Sequence, residues 1–490
     1  MIRRLFALLF CSCCVLAADA YDFSVPLADG QCLFYSILSD TSCEVSAYTM
    51  EEISNNYCEG VVEIPETVEY QYRDYTVVGI GTQAFAGCSK IDSVRLPESV
   101  TYIRSKAFKG CASLTEITVP NQVIHVEDYA FSGCKKLESV TLGLGIASLG
   151  DYVFTDCINL RSVSSYDGME YIGDFAFNNC SSLVDFTIPA SVTHIGSRAF
   201  RNCTSLTSVV LPNGLTCIEE GVFQQCSALQ EVFASNNITE IKRLAFQNCS
   251  KLTSINMPDA LVTIGENAFH ACSSLTSVSL PQGVLQIGKS AFERCEALQT
   301  VKLPVSGLNI IESNTFANCK DLYSINLSEG IEVIGSNAFL NCVSLSKIEL
   351  PESVREIGLN AFCSCSGLNY ISLSRNLVSI GSGAFKYCSS LAKVRAYSLV
   401  PPQAEENLFY NDPVRVLYVP IGSSSVYTST SPWSKFSEIE EFDAGYESLQ
   451  TVHSEEDLDA YAVTLYGYGM NYPSKSTGFY IINGMKLWKQ

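Results

Sequence analysis

The chain has 490 residues and a formal net charge of −20, with 51 Asp and Glu against 31 Lys and Arg. Nucleic-acid binding rests on Lys and Arg gathered against phosphate, so this balance sets that partner aside. The same charge favours solubility and says nothing about fold.

Residues 1–20 read as a secretory signal peptide: Arg3 and Arg4, an apolar run from Leu5 to Leu16, then the small-residue exit Ala18-Asp19-Ala20. Nothing later reaches the roughly 20 apolar residues of a membrane-spanning helix. Residues 21–78 do not follow the pattern of the rest. Short alternating segments such as Phe23-Ser24-Val25 and Val77-Val78 predict strands, and the segment is read as an N-terminal cap. Cys32, Cys43 and Cys58 lie here, and any two could pair in an exported chain.

From 79 to 395 one unit recurs. Ala84-Phe85-Ala86-Gly87-Cys88 returns with its cysteine at 111, 134, 157, 180, 203, 226, 249, 272, 295, 319, 342, 365 and 388. The interval is 23 residues, except for 24 between Cys295 and Cys319. A fixed period of this length over many copies predicts a solenoid. Six residues after each cysteine stands an apolar side chain (Val94, Ile117, Val140, Val163, Phe186, Val209), and two further on often Leu or Ile. That Val-x-Leu segment predicts a short strand with both side chains inward. A second extended run, Val-x-x-Ile-Gly, precedes each Phe. Its glycine is replaced by Arg104, Glu127, Glu219, Lys242 and Glu312 in five copies, so it reads as a convenience of the turn and not as a site of obligatory positive φ. About six inward side chains at roughly 1.5–3 kcal/mol each do not offset the ~1–2 kcal/mol per residue of backbone ordering. One unit alone is therefore unstable, and stacking supplies the second buried face.

After the repeats, 396–442 reads as a C-terminal cap containing Val416-Leu-Tyr-Val-Pro420 and Trp433 to Phe436. An acidic linker at 443–460 follows. Residues 461–490 read as a small β segment with a hairpin signal at Asn483-Gly484.

The unit Ile-Gly-x-x-Ala-Phe-x-x-Cys-x-x-Leu-x-x-Val-x-Leu-Pro resembles the BspA-type leucine-rich repeat. That resemblance implies a β-rich leucine-rich-repeat solenoid of about 14 repeats with terminal caps. It also implies a secreted or cell-surface adhesin that binds host matrix proteins or other cells. The C-terminal run Leu465-Tyr466 to Lys486 is similar to a short sorting domain of Bacteroidetes exported proteins, departing from it at Trp488.

The chain carries no zinc spacing, no His-Glu-x-x-His, no nucleophile elbow and no phosphate loop, so no catalytic residue, metal or cofactor is expected. The ladder cysteines read as small buried apolar fillers, and Cys217 and the Cys363-Ser364-Cys365 pair as incidental thiols. His125, His194, His270 and His453 are isolated and read as surface residues. Asn179, Asn202 and Asn248 head glycosylation-like triplets that the repeat itself generates. Function is sought in the outward residues that flank each Val-x-Leu strand. Ser and Thr are the commonest there; the departures Phe233, Tyr370, Lys302, Lys393 and Arg395 are the candidate contacts with an extracellular protein or glycan. A spacer with no ligand of its own is the alternative, and a polysaccharide-active enzyme a remoter one. The sequence carries no signal for oligomeric state.

Overall fold

The computed structural model describes residues 21–27, 30–48, 59–184, 186–409 and 416–445, and the backbone of 478–482 and 485–489. The signal-peptide reading, Cys58, His453 and most of the acidic linker lie outside them. The chain is a β-solenoid of about 16 turns with very little helix. It divides into two compact units, 1–261 with 268–273, and 262–267 with 274–490.

In the first unit each coil has three sides. The strand side stacks Glu59–Glu63, Lys90–Arg95, Glu116–Thr118, Ser139–Thr141 and Ser162–Ser164 as a parallel sheet. The second side stacks Arg73–Ile80, Tyr102–Ile103, His125–Val126, Ser148–Leu149, Tyr171–Ile172 and His194–Ile195. The third is the Ala-Phe-x-x-Cys turn. Phe85 to Phe269 form one column there, with neighbouring ring centroids 5.1 to 5.6 Å apart.

The turn side is held by a distinct bonding scheme. On the two strand sides amides donate back to the preceding coil, as Gly150 N–H does to the Val126 carbonyl. On the turn side alternate amides donate forward: Lys106 to Asp128, Phe108 to Ala130, Gly110 to Ser132. Reversing the amide direction takes left-handed backbone at two positions per coil, such as Phe175 (φ 54°) and Asn179 (φ 61°). Non-glycine residues in that region are strained, so the stack must over-determine them.

The ladder cysteines are more than filler. The ladder thiols from Cys111 to Cys272 and from Cys319 to Cys388 donate to the carbonyl of the preceding coil's Phe, as Cys111 does to Phe85 and Cys203 to Phe177, both at 3.2 Å. Cys88 differs: it is disulfide-bonded, whereas the other described cysteines are thiols. The glycine after the recurring Ile is also more than convenience. Its φ is not positive, as the replacements implied, but a Cβ on Gly173 would stand 2.5 Å from the Gly150 carbonyl carbon. Close approach of coils is the reason for glycine there.

The N-terminal segment closes its end of the core by an antiparallel meander, Phe23–Pro26, Cys32–Ile37 and Ser42–Val45. The last of these runs parallel to Arg73–Ile80. Tyr48 ends the phenylalanine column, 5.8 Å from Phe85.

The second unit repeats the plan. Its strand side holds Ser277–Ser279, Thr300–Lys302 and Ser324–Asn326, then Lys347–Glu349, Tyr370–Leu373, Lys393–Ala396, Val416–Pro420 and Glu438–Phe442. The extra residue before Cys319 is taken up near Gly307 (φ 97°), and Phe292 still stacks on Phe316 at 5.7 Å. The column ends at Phe409, against which Trp433 and Phe436 pack edge-on. A short helix, Ser424–Ser429, brings the Tyr427 hydroxyl to the Ser398 carbonyl at 2.9 Å. The strands Gly478–Ile482 and Met485–Lys489 pair antiparallel.

Candidate binding surface

On the strand sides, side chains at the two ends of each three-residue strand point outward while the middle one is buried. Parallel, in-register pairing therefore turns each outward position into a column running along the stack.

In the first unit Phe233 ends the strand Glu231–Phe233 and is 51% exposed. Its register partner Val210 is 65% exposed, so the two form an apolar pair on neighbouring coils. Asn256 fixes the end of this strand. Its amide accepts from Ala234 N–H and donates to the Ala234 carbonyl, both at 2.8 Å, taking the place of backbone pairing.

In the second unit Tyr370 lies between Lys347 and Lys393, its register partners on either side. The Lys347 ammonium is 5.6 Å from the Tyr370 ring centroid and 2.6 Å from the Glu349 carboxylate. Donating to that carboxylate raises the Lys347 pKa. Arg395 is placed differently. It is half-buried, its guanidinium 4.8 Å from the Phe442 ring and 5.8 Å from Tyr418, and so it ties the last two strands to the sheet. Lys302 is exposed but stands apart; Asn326 and Glu349 intervene in its column before the coil of Tyr370. The structure thus joins Tyr370, Lys393 and Arg395, leaves Lys302 separate, and puts Phe233 in the other unit.

Two further rows in the first unit had no clear sequence signal beyond recurrence at one repeat position. Tyr129, Tyr152 and Phe175 stack face to face at 4.6 and 4.7 Å. Lys109 covers one end at 5.3 Å and Arg198 the other at 5.6 Å. Beside them run Asp128, Asp151 and Asp174, each accepting the next coil's amide through Oδ1 at 2.7–2.8 Å. Burial pushes the Asp151 carboxyl above the usual carboxylate range; the Asp174 amide opposes this, and the charges of Asp128 and Asp174 add to it.

His125 Nδ1 lies 2.6 Å from Ser148 Oγ, and His194 stacks on Tyr171 at 4.8 Å. Cys217 donates to Glu219 at 3.1 Å, and burial together with that carboxylate pushes its thiol up to about 11. Cys365 is a ladder rung bonded to the Phe339 carbonyl, whereas the Cys363 sulfur sits 3.6 Å from Ser364 Oγ. Among the described residues no group of three or more His, Cys, Asp or Glu is placed to hold a metal ion. No described helix is long and apolar enough to cross a membrane.

The family model described as the BspA type leucine rich repeat region matches residues 78–207, 193–310 and 297–415. A leucine-rich repeat protein from Bacteroides ovatus is similar at 29% identity and a TM-score of 0.59, over 76% of this chain and 94% of that one. A leucine rich cell surface protein from Faecalibacterium prausnitzii is similar at 24% identity and a TM-score of 0.42, over 78% and 96%. No curated protein matches the chain.

Proposed function

The chain belongs to the BspA-type leucine-rich repeat family, and from that premise we propose that it is an exported surface protein without catalytic activity, which binds an extracellular protein or glycan through the outward columns of its strand sides. One observation carries this reading: Tyr370, a half-buried aromatic, is flanked in register by two lysines on the outward strand face. An aromatic ring with adjacent cations, held by a rigid sheet, is the kind of anchor that dominates binding energy at protein surfaces. The exposed Val210–Phe233 pair is a second such departure from the repeat. Arg395 contributes by holding the terminal strands of this surface in place. The signal-like residues 1–20 support export, and host matrix proteins or the surfaces of other cells are the ligand class the family resemblance suggests.

The test is saturable binding of the full chain to immobilised matrix proteins and mucins, with Tyr370→Ser, Lys393→Ser and Phe233→Ser beside it. A contact of this kind costs at least tenfold in affinity when truncated. No saturable binding by the folded chain would leave the spacer reading. Binding that all three substitutions leave unchanged would move the site off the strand sides.

A further inference from the structure

Among the described residues, the first unit contains one step where hydrogen bonds between successive coils are found on a single side. Phe186 occupies the inward position that is Val or Ile in every other copy. It is half-exposed, residues 186–188 are not in a strand, and its ring tilts against Phe177 and Phe200 at 4.9 and 5.6 Å. A phenyl ring occupies more of the interior than a branched aliphatic side chain, and a close-packed core relieves the excess by moving backbone. Among the described residues, which leave out Asp185, strand-side pairing reaches Ser162–Ser164 and is next found at Ser208–Val210. The second-side sheet ends at His194–Ile195, on the same coil as Phe186, and the next strand there, Cys217–Ile218, belongs to another sheet.

Three amides mark the gap. Gln230, Thr239 and Lys242 donate to Thr207, Thr216 and Ile218 on the coil before, at 2.8 Å each. One coil earlier the equivalent amides of Thr207, Thr216 and Glu219 have no such bond among the described residues. The turn side is intact across the same step. Phe175, Phe177 and Asn179 donate forward to Ser197, Ala199 and Arg201 at 3.0, 2.7 and 2.9 Å. The Cys203 thiol bonds the Phe177 carbonyl at 3.2 Å, and Phe177 stacks on Phe200 at 5.2 Å. Asn202 donates to Asn179 at 2.9 Å and Thr204 to the Ser181 carbonyl at 3.1 Å.

We propose that this step is a built-in hinge, set by Phe186, whose axis runs along the turn side and which opens the two sheet sides between the coil of Phe186 and the coil of Val209. Coils bonded on all three sides can separate only by breaking every ladder at once, whereas here two ladders are already interrupted. Opening moves Val210 and Phe233 relative to the coils that precede them, so the exposed pair lies on the first coils beyond the hinge. The inference is independent of any ligand.

Hydrogen–deuterium exchange of the full chain, read at residue resolution by electron-transfer fragmentation, tests it. Thr207, Thr216 and Glu219 exchange at least tenfold faster than Gln230, Thr239 and Lys242, while Phe177 and Asn179 stay protected. Phe186→Val brings the first three amides to within a few-fold of the second three, and Phe186→Ile does the same should the valine leave a cavity. Equal exchange of the two sets in the unmodified chain overturns the proposal. So does a folded Phe186→Val or Phe186→Ile protein in which the first three amides remain fast.

Discussion

The carboxylate row at Asp128, Asp151 and Asp174 sets up a test in which backbone bonding and charge pull in opposite directions. Asp151 Oδ1 accepts the Asp174 amide at 2.8 Å, and its own amide donates to Asp128 Oδ1 at 2.8 Å. Asp151→Asn keeps an oxygen for the first bond and removes the central charge. Like charges one coil apart, at about 4.8 Å, repel by roughly 0.9 kcal/mol in water. Two neighbours make that about 1.7 kcal/mol, and salt near 0.1 M screens it to about 1 kcal/mol. An amide oxygen is a weaker acceptor than a carboxylate and returns part of this, so the expected net gain is about 0.5–1 kcal/mol at pH 7.5 in 0.1 M salt. The sign with pH follows from the raised carboxyl. A folded-state pKa above the unfolded one means that the ionised side chain is penalised in the fold. The penalty is present at neutral pH and disappears as the pH falls through that raised value. Asp151→Asn therefore raises the thermal midpoint by about 1–3 °C at pH 7.5, less in 0.5 M salt, and not at all near pH 3. Asp151→Ala, which loses the acceptor for a half-buried amide, lowers it at every pH. The reasoning fails if Asp151→Asn is destabilising at pH 7.5 in dilute buffer, or if its advantage does not change with pH.

Other outcomes follow from the same lattice. Gly173→Ala pushes a methyl against the Gly150 backbone and should cost about 1–3 kcal/mol, read as a lower denaturation midpoint. Asn202→Val puts a β-branched residue at φ 60° and removes the amide bond to Asn179; about 1–3 kcal/mol is lost, whereas Asn202→Gly costs less. A thiol reagent applied to the native chain modifies no described cysteine beyond Cys32 and Cys217, the two that are not fully buried, and reaches the rest only after unfolding. Reduction of the Cys88 disulfide lowers the midpoint of the first unit.

The core was legible because one period controls it: a cysteine every 23 residues, with branched apolar side chains at constant offsets, names the inward positions without any knowledge of their contacts. What the period could not carry is geometry between coils. Left-handed backbone falls on Lys106, Tyr129, Phe175, Arg198 and Leu244, residue types that give no turn signal, because the forward hydrogen bonds impose it. The thiol donor was hidden for a similar reason, since a cysteine that fills space and one that also donates leave the same pattern. Phe186 satisfied the apolar rule and broke the size rule, which only packing against Phe177 and Phe200 makes visible. At the candidate surface Tyr370 and Lys393 could be paired by counting. Arg395 could not, because its place between Tyr418 and Phe442 depends on how the cap strand Glu438–Phe442 joins the sheet.

This division explains where a repeat protein of this kind has freedom to acquire a ligand. Each turn contributes several forward bonds, a thiol bond and a stacked phenylalanine, and a truncated buried phenylalanine costs about 3–5 kcal/mol. Strand-side outward positions carry no such constraint, and a surface exchange there usually stays within about 0.5 kcal/mol. A Ser replaced by Phe, Tyr or Lys on that side leaves the fold nearly unchanged while altering what the surface can bind. The turn side therefore supplies rigidity and the strand sides supply variation. Phe233, Tyr370 and Lys393 are informative because nothing in the stacking demands them, whereas Arg395, enclosed by two rings, is demanded by the cap and should be conserved in any variant that keeps binding.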